Sequence, residues 1–181
     1  MRLAGPDAQD VRPLGARKGA GMATTLSRNL RADRVSGLRL RQICSVESSS
    51  SIEEVVQCMI EQRTGCALVM RGGERGELIG IFTERDFVAR VVSAGLDVNR
   101  PVESVMTPSP KTIRSDASVY DAIEVMQEGG YRHLPVLGED GNPLGVLSVK
   151  DIMHYLVEYF PANVYNLPPT PVNAQPAREG A

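Results

Sequence analysis

The sequence has little of several residue types, and each shortage excludes a class of function. Among 181 residues there is no tryptophan, and the only aromatics are five tyrosines and three phenylalanines. So few rings argue against an extended base-stacking platform or a sugar-binding cleft. The net charge is −2, from 20 basic and 22 acidic residues, so no large positive field attracts nucleic acid.

Long apolar runs and cysteine are also scarce. No stretch reaches the roughly 18 consecutive apolar residues of a membrane-spanning helix, so we expect no association with membranes. The three cysteines, Cys44, Cys58 and Cys66, are not spaced as in a zinc or thioredoxin motif. We therefore expect reduced thiols that behave as small buried apolar groups, in a cytoplasmic protein.

Catalytic signatures are missing as well. The sequence contains no Gly-x-x-x-x-Gly-Lys-Ser/Thr loop, no Gly-x-Ser-x-Gly elbow and no His-Glu-x-x-His motif. It has two histidines and no pairing of a nucleophile with a base. We expect no catalytic residue, no dedicated metal site and no covalent cofactor.

What is present is the composition of a folded protein, with 42% hydrophobic and 23% charged residues. The two ends differ from the rest. Residues 1–22 are rich in glycine and arginine without apolar periodicity, and we predict a disordered leader. Residues 161–181 hold five of the 12 prolines, which excludes a regular helix or central strand and indicates a linker or extended arm.

Between these ends the sequence repeats itself. Three pairs of segments match, at an offset of 67 and then of 65 residues: 52–59 with 119–126, 66–70 with 133–137, and 80–86 with 145–151. The change of offset falls in a glycine-rich turn, where a duplicated fold tolerates variation in length.

Each copy has the pattern β-α-β-β-α, with apolar residues on one face of its first helix. Ser51 and Ser118 are predicted N-caps of these helices, each followed three residues later by an acid. A unit of about 60 residues has a marginal core by itself. We predict an α/β (α+β) fold of two packed repeats, the first over 23–100 with its preceding segment and the second over 101–160.

The repeated polar residues allow two interpretations. Thr83 and Asp86 follow the last strand of the first copy, and Ser148 and Asp151 follow that of the second. Such a pair forms a capping box at a helix start and needs no ligand. It also suits the hydroxyls of a ribose, while helix N–H groups with Arg85 or Lys150 suit phosphate oxygens.

The motif Gly-hydrophobic-x-Thr/Ser-x-x-Asp, found twice, resembles that of a tandem pair of cystathionine-β-synthase (CBS) domains, often called a Bateman module. The stretches 106–108 (Met-Thr-Pro) and 131–136 (Tyr-Arg-His-Leu-Pro-Val) are similar to that family's second repeat. The resemblance covers about residues 36–160. It implies two repeats related by a pseudo-two-fold axis, adenosine ligands in clefts between them, and a homodimer.

Carried over position by position, the resemblance implies a role for each matching residue. Asp86 and Asp151 would hold ribose hydroxyls, with Thr83 and Ser148 beside them. In the site of the second repeat, adenine would meet the residues Thr112, His133, Leu134 and Pro135, the last three through their backbone. Phosphates would meet Arg132, His133 and Lys150. The first copy has Gly65-Cys66-Ala67 in place of Arg132-His133-Leu134, so we expect its site to take a less charged ligand, bind weakly or stay empty.

The main hypothesis is therefore a stand-alone regulatory CBS pair that binds AMP, ADP, ATP or S-adenosylmethionine and changes its shape or its affinity for a protein target that the sequence does not identify. The alternative is an interaction scaffold without a small ligand, in which the polar pairs only cap helices. A third interpretation, nucleic-acid binding through Arg28, Arg31 and Arg34, conflicts with the acidic balance and the few aromatics.

Overall fold

Two copies of one β-α-β-β-α unit follow each other in the computed structural model, which describes residues 19–41, 43–73, 76–161 and 164. This confirms the predicted repeat and fold class. A helix that the sequence did not predict, α1 (Gly19–Ala32), precedes the first unit. In the part of the chain that the structure describes, no helix is both long and apolar enough to cross a bilayer.

The first unit begins after a short 3-10 turn at Val35–Gly37. Its elements in chain order are β1 (Ser45–Glu47), α2 (Ile52–Glu61), β2 (Cys66–Arg71), β3 (Glu77–Thr83) and α3, which is α-helical over Glu84–Asp86 and π-helical over Phe87–Val92.

The second unit follows a 3-10 turn at Val102–Ser104 and a short strand, β4 (Thr107–Pro108). Its elements are β5 (Ile113–Arg114), α4 (Val119–Gly129), β6 (His133–Leu137), β7 (Pro143–Ser148) and α5 (Val149–Tyr159).

The predictions for the two ends fall mostly outside the described residues. For the leader 1–22, the exception is 19–22, which form the first turn of α1. The helix is stabilised by burial of Leu30, which packs with Leu26 against Val119 and Tyr155 of the second unit. Of the tail 161–181, only residues 161 and 164 are described.

A capping box begins each of the four helices within the units. In each box the Ser or Thr oxygen accepts a hydrogen bond from the N–H three residues later, and the acid at that position accepts one from the N–H of the cap residue. The pairs are Ser51 with Glu54, Thr83 with Asp86, Ser118 with Asp121, and Ser148 with Asp151. The predicted caps Ser51 and Ser118 are therefore confirmed.

The segment that leads into each unit pairs with the sheet of the other unit. The first sheet has the order β1-β2-β3-β4, although β4 lies just before the second unit. The second sheet has the order β5-β6-β7, and Arg41, which precedes β1, forms a bridge to Val146 with an N···O distance of 3.3 Å. This reciprocal exchange joins the two units through backbone hydrogen bonds.

Two glycines of the repeated motif make this exchange possible. A Cβ on Gly80 would lie 2.2 Å from the sulfur of Met106, which leads into β4. A Cβ on Gly145 would lie 2.8 Å from Cβ of Leu40 and 3.1 Å from the carbonyl oxygen of Arg41. Because glycine has no side chain, the exchanged segments can lie directly on β3 and β7.

The buried residues form a core in each unit and a third cluster between the units. Phe82 and Val55 lie in the first core, and Leu134 and Leu147 lie in the second. The cluster between them joins Val146 of β7 to four residues of β2 and β3: Cys66, Leu68, Met70 and Ile81. Each unit therefore completes the burial of the other, as the marginal size of one repeat requires.

The expectation of three reduced cysteines is wrong for two of them. Cys44 and Cys58 form a disulfide with a Cα–Cα distance of 6.2 Å, and Cys66 is free and buried. The 14 residues that separate the two cysteines lead from the start of β1 to α2. Because α2 packs over β1, the two side chains come into contact. The disulfide removes one of the arguments for a cytoplasmic location.

We expect Gly145→Ala to destabilise the fold, because its Cβ would meet Leu40 Cβ and the backbone of Arg41 rather than a movable side-chain end. Overpacking of this kind costs about 1–3 kcal/mol, measured as the change in free energy of unfolding in urea. Gly37→Ala is the matched control, since nothing lies within 4 Å of its added Cβ. Equal stability of the two variants would contradict the proposed role of Gly145.

Candidate functional site

Three concave surfaces lie where the two units meet. The Asp86 cleft, of about 480 Å³, contains Thr83 and Asp86 from the first unit together with Arg132 from the second. The Asp151 cleft, of about 770 Å³, contains Asp151 from the second unit together with Arg41 from the segment before the first. A central groove, of about 690 Å³, lies beside both clefts and shares lining residues with each of them.

Asp86 uses its two carboxylate oxygens differently. It is 9% exposed and sits in the first turn of α3, directly after β3. Its Oδ2 accepts hydrogen bonds from the Thr83 N–H at 3.0 Å and the Thr83 hydroxyl at 2.7 Å. Its Oδ1 lies 3.4 Å from both Arg90 Nε and Thr107 Oγ1, two residues that line the Asp86 cleft.

Asp151 repeats this division at the start of α5. Its Oδ2 accepts hydrogen bonds from the N–H and hydroxyl of Ser148. Its Oδ1 forms an ion pair with Arg41 Nε at 3.1 Å. Because Arg41 belongs to the exchanged segment, this ion pair also ties the first unit to the second.

Both interpretations of the repeated polar pairs are therefore compatible with the geometry. The capping boxes are complete, as the alternative interpretation required. Capping occupies one oxygen of each carboxylate and leaves the other directed toward cleft residues. A ribose hydroxyl could donate to that second oxygen without disturbing the helix start.

The Asp86 cleft is lined by more positive than negative groups. Four of its residues carry cationic side chains, and Asp86 is the one acid among its described lining residues; the cations are Arg85, Arg90, Lys111 and Arg132. Arg90 also donates to the carbonyl oxygens of Val105 and Met106 at 2.9 and 2.7 Å, which fixes the segment before β4 against α3. The cleft has the charge that an anionic ligand requires.

His133 lines both the Asp86 cleft and the central groove. A Cβ on Gly65 would lie 3.4 Å from the ring atoms Cε1 and Nε2 of His133, so this glycine leaves room for the imidazole. Burial, with Arg132 nearby, lowers the pKa of His133 from its usual value. The ring is therefore mostly neutral at pH 7.

The Asp151 cleft has a more even balance of charge. Its cations are Arg39, Arg41 and Arg63, and its acids are Asp151 and Glu158. Two tyrosines also line it, Tyr155 and Tyr159, with ring centroids 5.2 Å apart. The Tyr155 hydroxyl donates to Asp33, which lies just beyond α1. This cleft offers aromatic surface as well as charge.

The predicted site residues are divided among these surfaces. Thr83, Arg85 and Asp86 line the Asp86 cleft, and Asp151 lines the Asp151 cleft. Four line the central groove, two of which also reach the Asp86 cleft: Arg132, His133, Ser148 and Lys150. Three line none of these surfaces: Thr112, which is half-buried beside Lys111, and Leu134 and Pro135, which are buried in β6.

The predicted grouping of these residues differs from the structure. The family resemblance implies that Arg132 and His133 lie with Asp151, in the second repeat's own site, and that the first site lacks them. They line the cleft of Asp86 instead. The reason is the reciprocal exchange, which builds each cleft from both units.

Several cleft residues were missed by sequence reasoning. Arg90 had a usable signal, since it lies four residues after Asp86 and so on the same face of α3. Thr107 belongs to the Met-Thr-Pro stretch but was given no role. Arg41 and Arg63 have no motif around them, and only the fold brings them to the Asp151 cleft. Within the described ranges there is no group of three or more His, Cys, Asp or Glu residues that could hold a metal ion.

Comparison with known proteins identifies the two units. The family model for the CBS domain matches residues 35–93 and again residues 102–158. An uncharacterized 17.7 kDa protein of Acidianus ambivalens is 32% identical over 127 residues, which are 70% of this chain and 75% of that protein. The CBS domain-containing protein CBSCBSPB5 of Arabidopsis thaliana is 33% identical over 117 residues, 64% of this chain but only 21% of that longer protein.

Solved structures show the same fold. The CBS domain protein PAE2072 from Pyrobaculum aerophilum, complexed with AMP, has a TM-score of 0.61 and 28% identity, covering 69% of this chain and 98% of that one. A putative signal-transduction protein with CBS domains from Burkholderia ambifaria also has a TM-score of 0.61 and 28% identity, covering 75% of this chain and 95% of that one.

The lowered pKa of His133 makes stability depend on pH. At pH values between the lowered pKa of folded His133 and the usual pKa of 6.5, the unfolded chain binds more protons than the folded one. The free energy of unfolding therefore falls as the pH falls. We expect wild type to lose more stability than His133→Gln between pH 7.5 and 5.5 in urea titrations. Carboxylates titrate in both proteins and cancel in the difference. Identical pH profiles would contradict this expectation.

Proposed function

This chain belongs to the CBS domain family, and on that premise we propose that it is a regulatory module that binds adenosine nucleotides in its Asp86 and Asp151 clefts. The observation that carries the proposal is the divided use of each carboxylate, with one oxygen on the helix cap and the other toward the cleft. The cleft volumes, about 480 and 770 Å³, lie within the usual range for small-molecule sites. The relative PAE2072, whose structure contains AMP, supports an adenosine ligand.

The two clefts favour different ligands. In the Asp86 cleft we place the ribose at Asp86 Oδ1 and the phosphates toward Lys111 and Arg132, because charge-assisted hydrogen bonds are the strongest kind available there. Four cations against one carboxylate favour AMP, ADP or ATP over the cationic S-adenosylmethionine. The Asp151 cleft, with balanced charge and two tyrosines, suits the less charged AMP better than ADP or ATP. This reverses the order expected from the sequence.

Ligand binding would act on the contacts between the units. A ribose at Asp151 Oδ1 lies beside Arg41, whose ion pair with that oxygen ties the exchanged segment to α5. A ligand that contacts both units shifts the population toward the arrangement that it fits. A protein target would respond to that arrangement, although no described residue indicates what kind of protein it is. A cytoplasmic location is also part of the proposal.

A homodimer also belongs to the proposal. Apolar side chains that are 38–63% exposed lie along α2, α3 and α5, and a second copy could cover them: Ile60, Val88, Val92, Val149, Met153 and Val157. The same apolar surface also favours an interaction scaffold as a second candidate function. The capping boxes agree with that candidate, because they are complete without a ligand.

Nucleic-acid binding receives no such support. The guanidinium of Arg31 lies 3.6 Å from the centre of the Tyr120 ring, and Arg34 donates to the carbonyl oxygen of Asp116. Two of the three arginines invoked for it are therefore engaged by the second unit.

Asp86→Ala separates the ligand site from the cap. We expect it to weaken AMP binding at one site at least tenfold, because a charged hydrogen-bond partner is lost, and to reduce stability by about 0.5–2 kcal/mol. Asp121→Ala is the matched control, because Asp121 completes the same kind of capping box outside the clefts. It should reduce stability similarly without changing AMP affinity in calorimetric titrations. Equal AMP binding by both variants would favour the scaffold.

Arg132→Ala tests the placement of the phosphates. We expect the preference of the Asp86 cleft for AMP over adenosine to fall about tenfold, since a charged hydrogen bond to phosphate is worth about 1.5–3 kcal/mol. Adenosine affinity should stay the same. Arg114→Ala is the control, because that exposed arginine pairs with Asp116 away from the clefts. An unchanged preference in Arg132→Ala would place the phosphates elsewhere.

A further inference from the structure

The Cys44–Cys58 disulfide joins two segments that form walls of the Asp151 cleft. Cys44 follows Arg41 by three residues, and Arg41 holds Asp151 through the ion pair of 3.1 Å. Cys58 lies on α2, one turn before the end of the helix, and its carbonyl oxygen accepts a hydrogen bond from the N–H of Gln62 at 3.0 Å. Gln62 and the next two residues, Arg63 and Thr64, line the Asp151 cleft opposite α5.

The Asp86 cleft has no such covalent tie. At the offset of 67 residues, the positions equivalent to Cys44 and Cys58 are Lys111 and Val125. The two clefts therefore differ in this respect within one molecule, and the Asp86 cleft provides an internal reference for any effect of the disulfide.

The disulfide can be reached from the surface on one side. Cys44 is 2% exposed, whereas Cys58 is half-buried and lines a shallow surface depression with Glu54, Gln57 and Glu61. Cys58 is therefore the more accessible half of the disulfide, and the acidic surroundings favour a neutral or positively charged reductant over an anionic one.

We propose that the Cys44–Cys58 disulfide is a redox switch for ligand binding at the Asp151 cleft, an inference that rests on the proposed function. A dithiol reductant supplies two electrons and two protons. Its thiolate attacks Sγ of Cys58, the S–S bond breaks, and Cys44 leaves and is protonated. The second thiol of the reductant then displaces Cys58 as a thiol, and the reductant is left as a disulfide.

The switch acts by preorganisation. The disulfide fixes the segment that carries Arg41 relative to α2 and to the residues that follow it, Arg63 and Thr64. When it is reduced, the two walls lose their covalent link and keep only non-covalent contacts, such as the ion pair of Arg41 with Asp151, so ligand binding has to order them more fully. We expect the affinity of the Asp151 cleft for AMP to fall about tenfold, a typical coupling between two sites, while the Asp86 cleft keeps its affinity.

The test uses two single-site proteins, Asp86→Ala, which leaves the Asp151 cleft, and Asp151→Ala, which leaves the Asp86 cleft. AMP affinity is measured by calorimetry at 20 °C, with the disulfide intact and after treatment with dithiothreitol. Reduction should weaken binding about tenfold in Asp86→Ala and leave Asp151→Ala unchanged. Adding Cys44→Ala and Cys58→Ala to Asp86→Ala should give the reduced affinity in either condition, whereas adding Cys66→Ala should preserve the redox response.

The possible failures are distinguishable. If reduction leaves the affinity of both single-site proteins unchanged, or lowers both equally, the inference is wrong and the proposed function stands. If alkylation and mass spectrometry count three thiols in the protein after treatment with oxidised glutathione, the inference is likewise overturned. If the oxidised wild-type protein binds no AMP at all, the proposed function fails and the inference fails with it.

Discussion

The rest of the structure depends on the reciprocal exchange of the segments that lead into the two units. Backbone pairing places β4 on β3 and Arg41 on β7, and the glycines at 80 and 145 leave the space that this requires. The apolar cluster around Val146 then closes between the units. Because each leading segment lies on the other unit, both clefts contain residues from both halves of the chain. Neither unit alone could form the surfaces to which we assign ligands.

The capping boxes show how a stabilising contact and a binding contact can share one side chain. A helix start needs one acceptor from its acid, and a carboxylate has two oxygens. In Asp86 and Asp151 the second oxygen meets an arginine, whereas Glu54 and Asp121 complete their boxes outside the Asp86 and Asp151 clefts. The chain therefore contains both kinds of box, with and without an adjoining cleft. A ligand adds to the cap and does not compete with it.

Matching segments, apolar periodicity and capping signals in the sequence were enough to predict the repeat, the β-α-β-β-α order and the caps at Ser51 and Ser118. They could not predict which residues share a cleft, because Arg132 and Asp86 come to line one cleft only through pairing between distant segments. Assigning the family's roles position by position assumes that each repeat builds its own site. Under this assumption Arg132 and His133 are assigned to the wrong cleft. The Cys44–Cys58 disulfide was missed for a related reason, since spacing along the chain says little about which side chains meet across a core.

A crystal structure of the chain grown with AMP tests the central claim most directly, because it shows which residues of each unit touch one ligand. The expected result is a ribose hydroxyl within hydrogen-bond distance of Asp86 Oδ1, with the phosphate beside Lys111 and Arg132 of the other unit. AMP bound to residues of one unit only, or outside both clefts with the carboxylates serving as caps alone, would contradict the account.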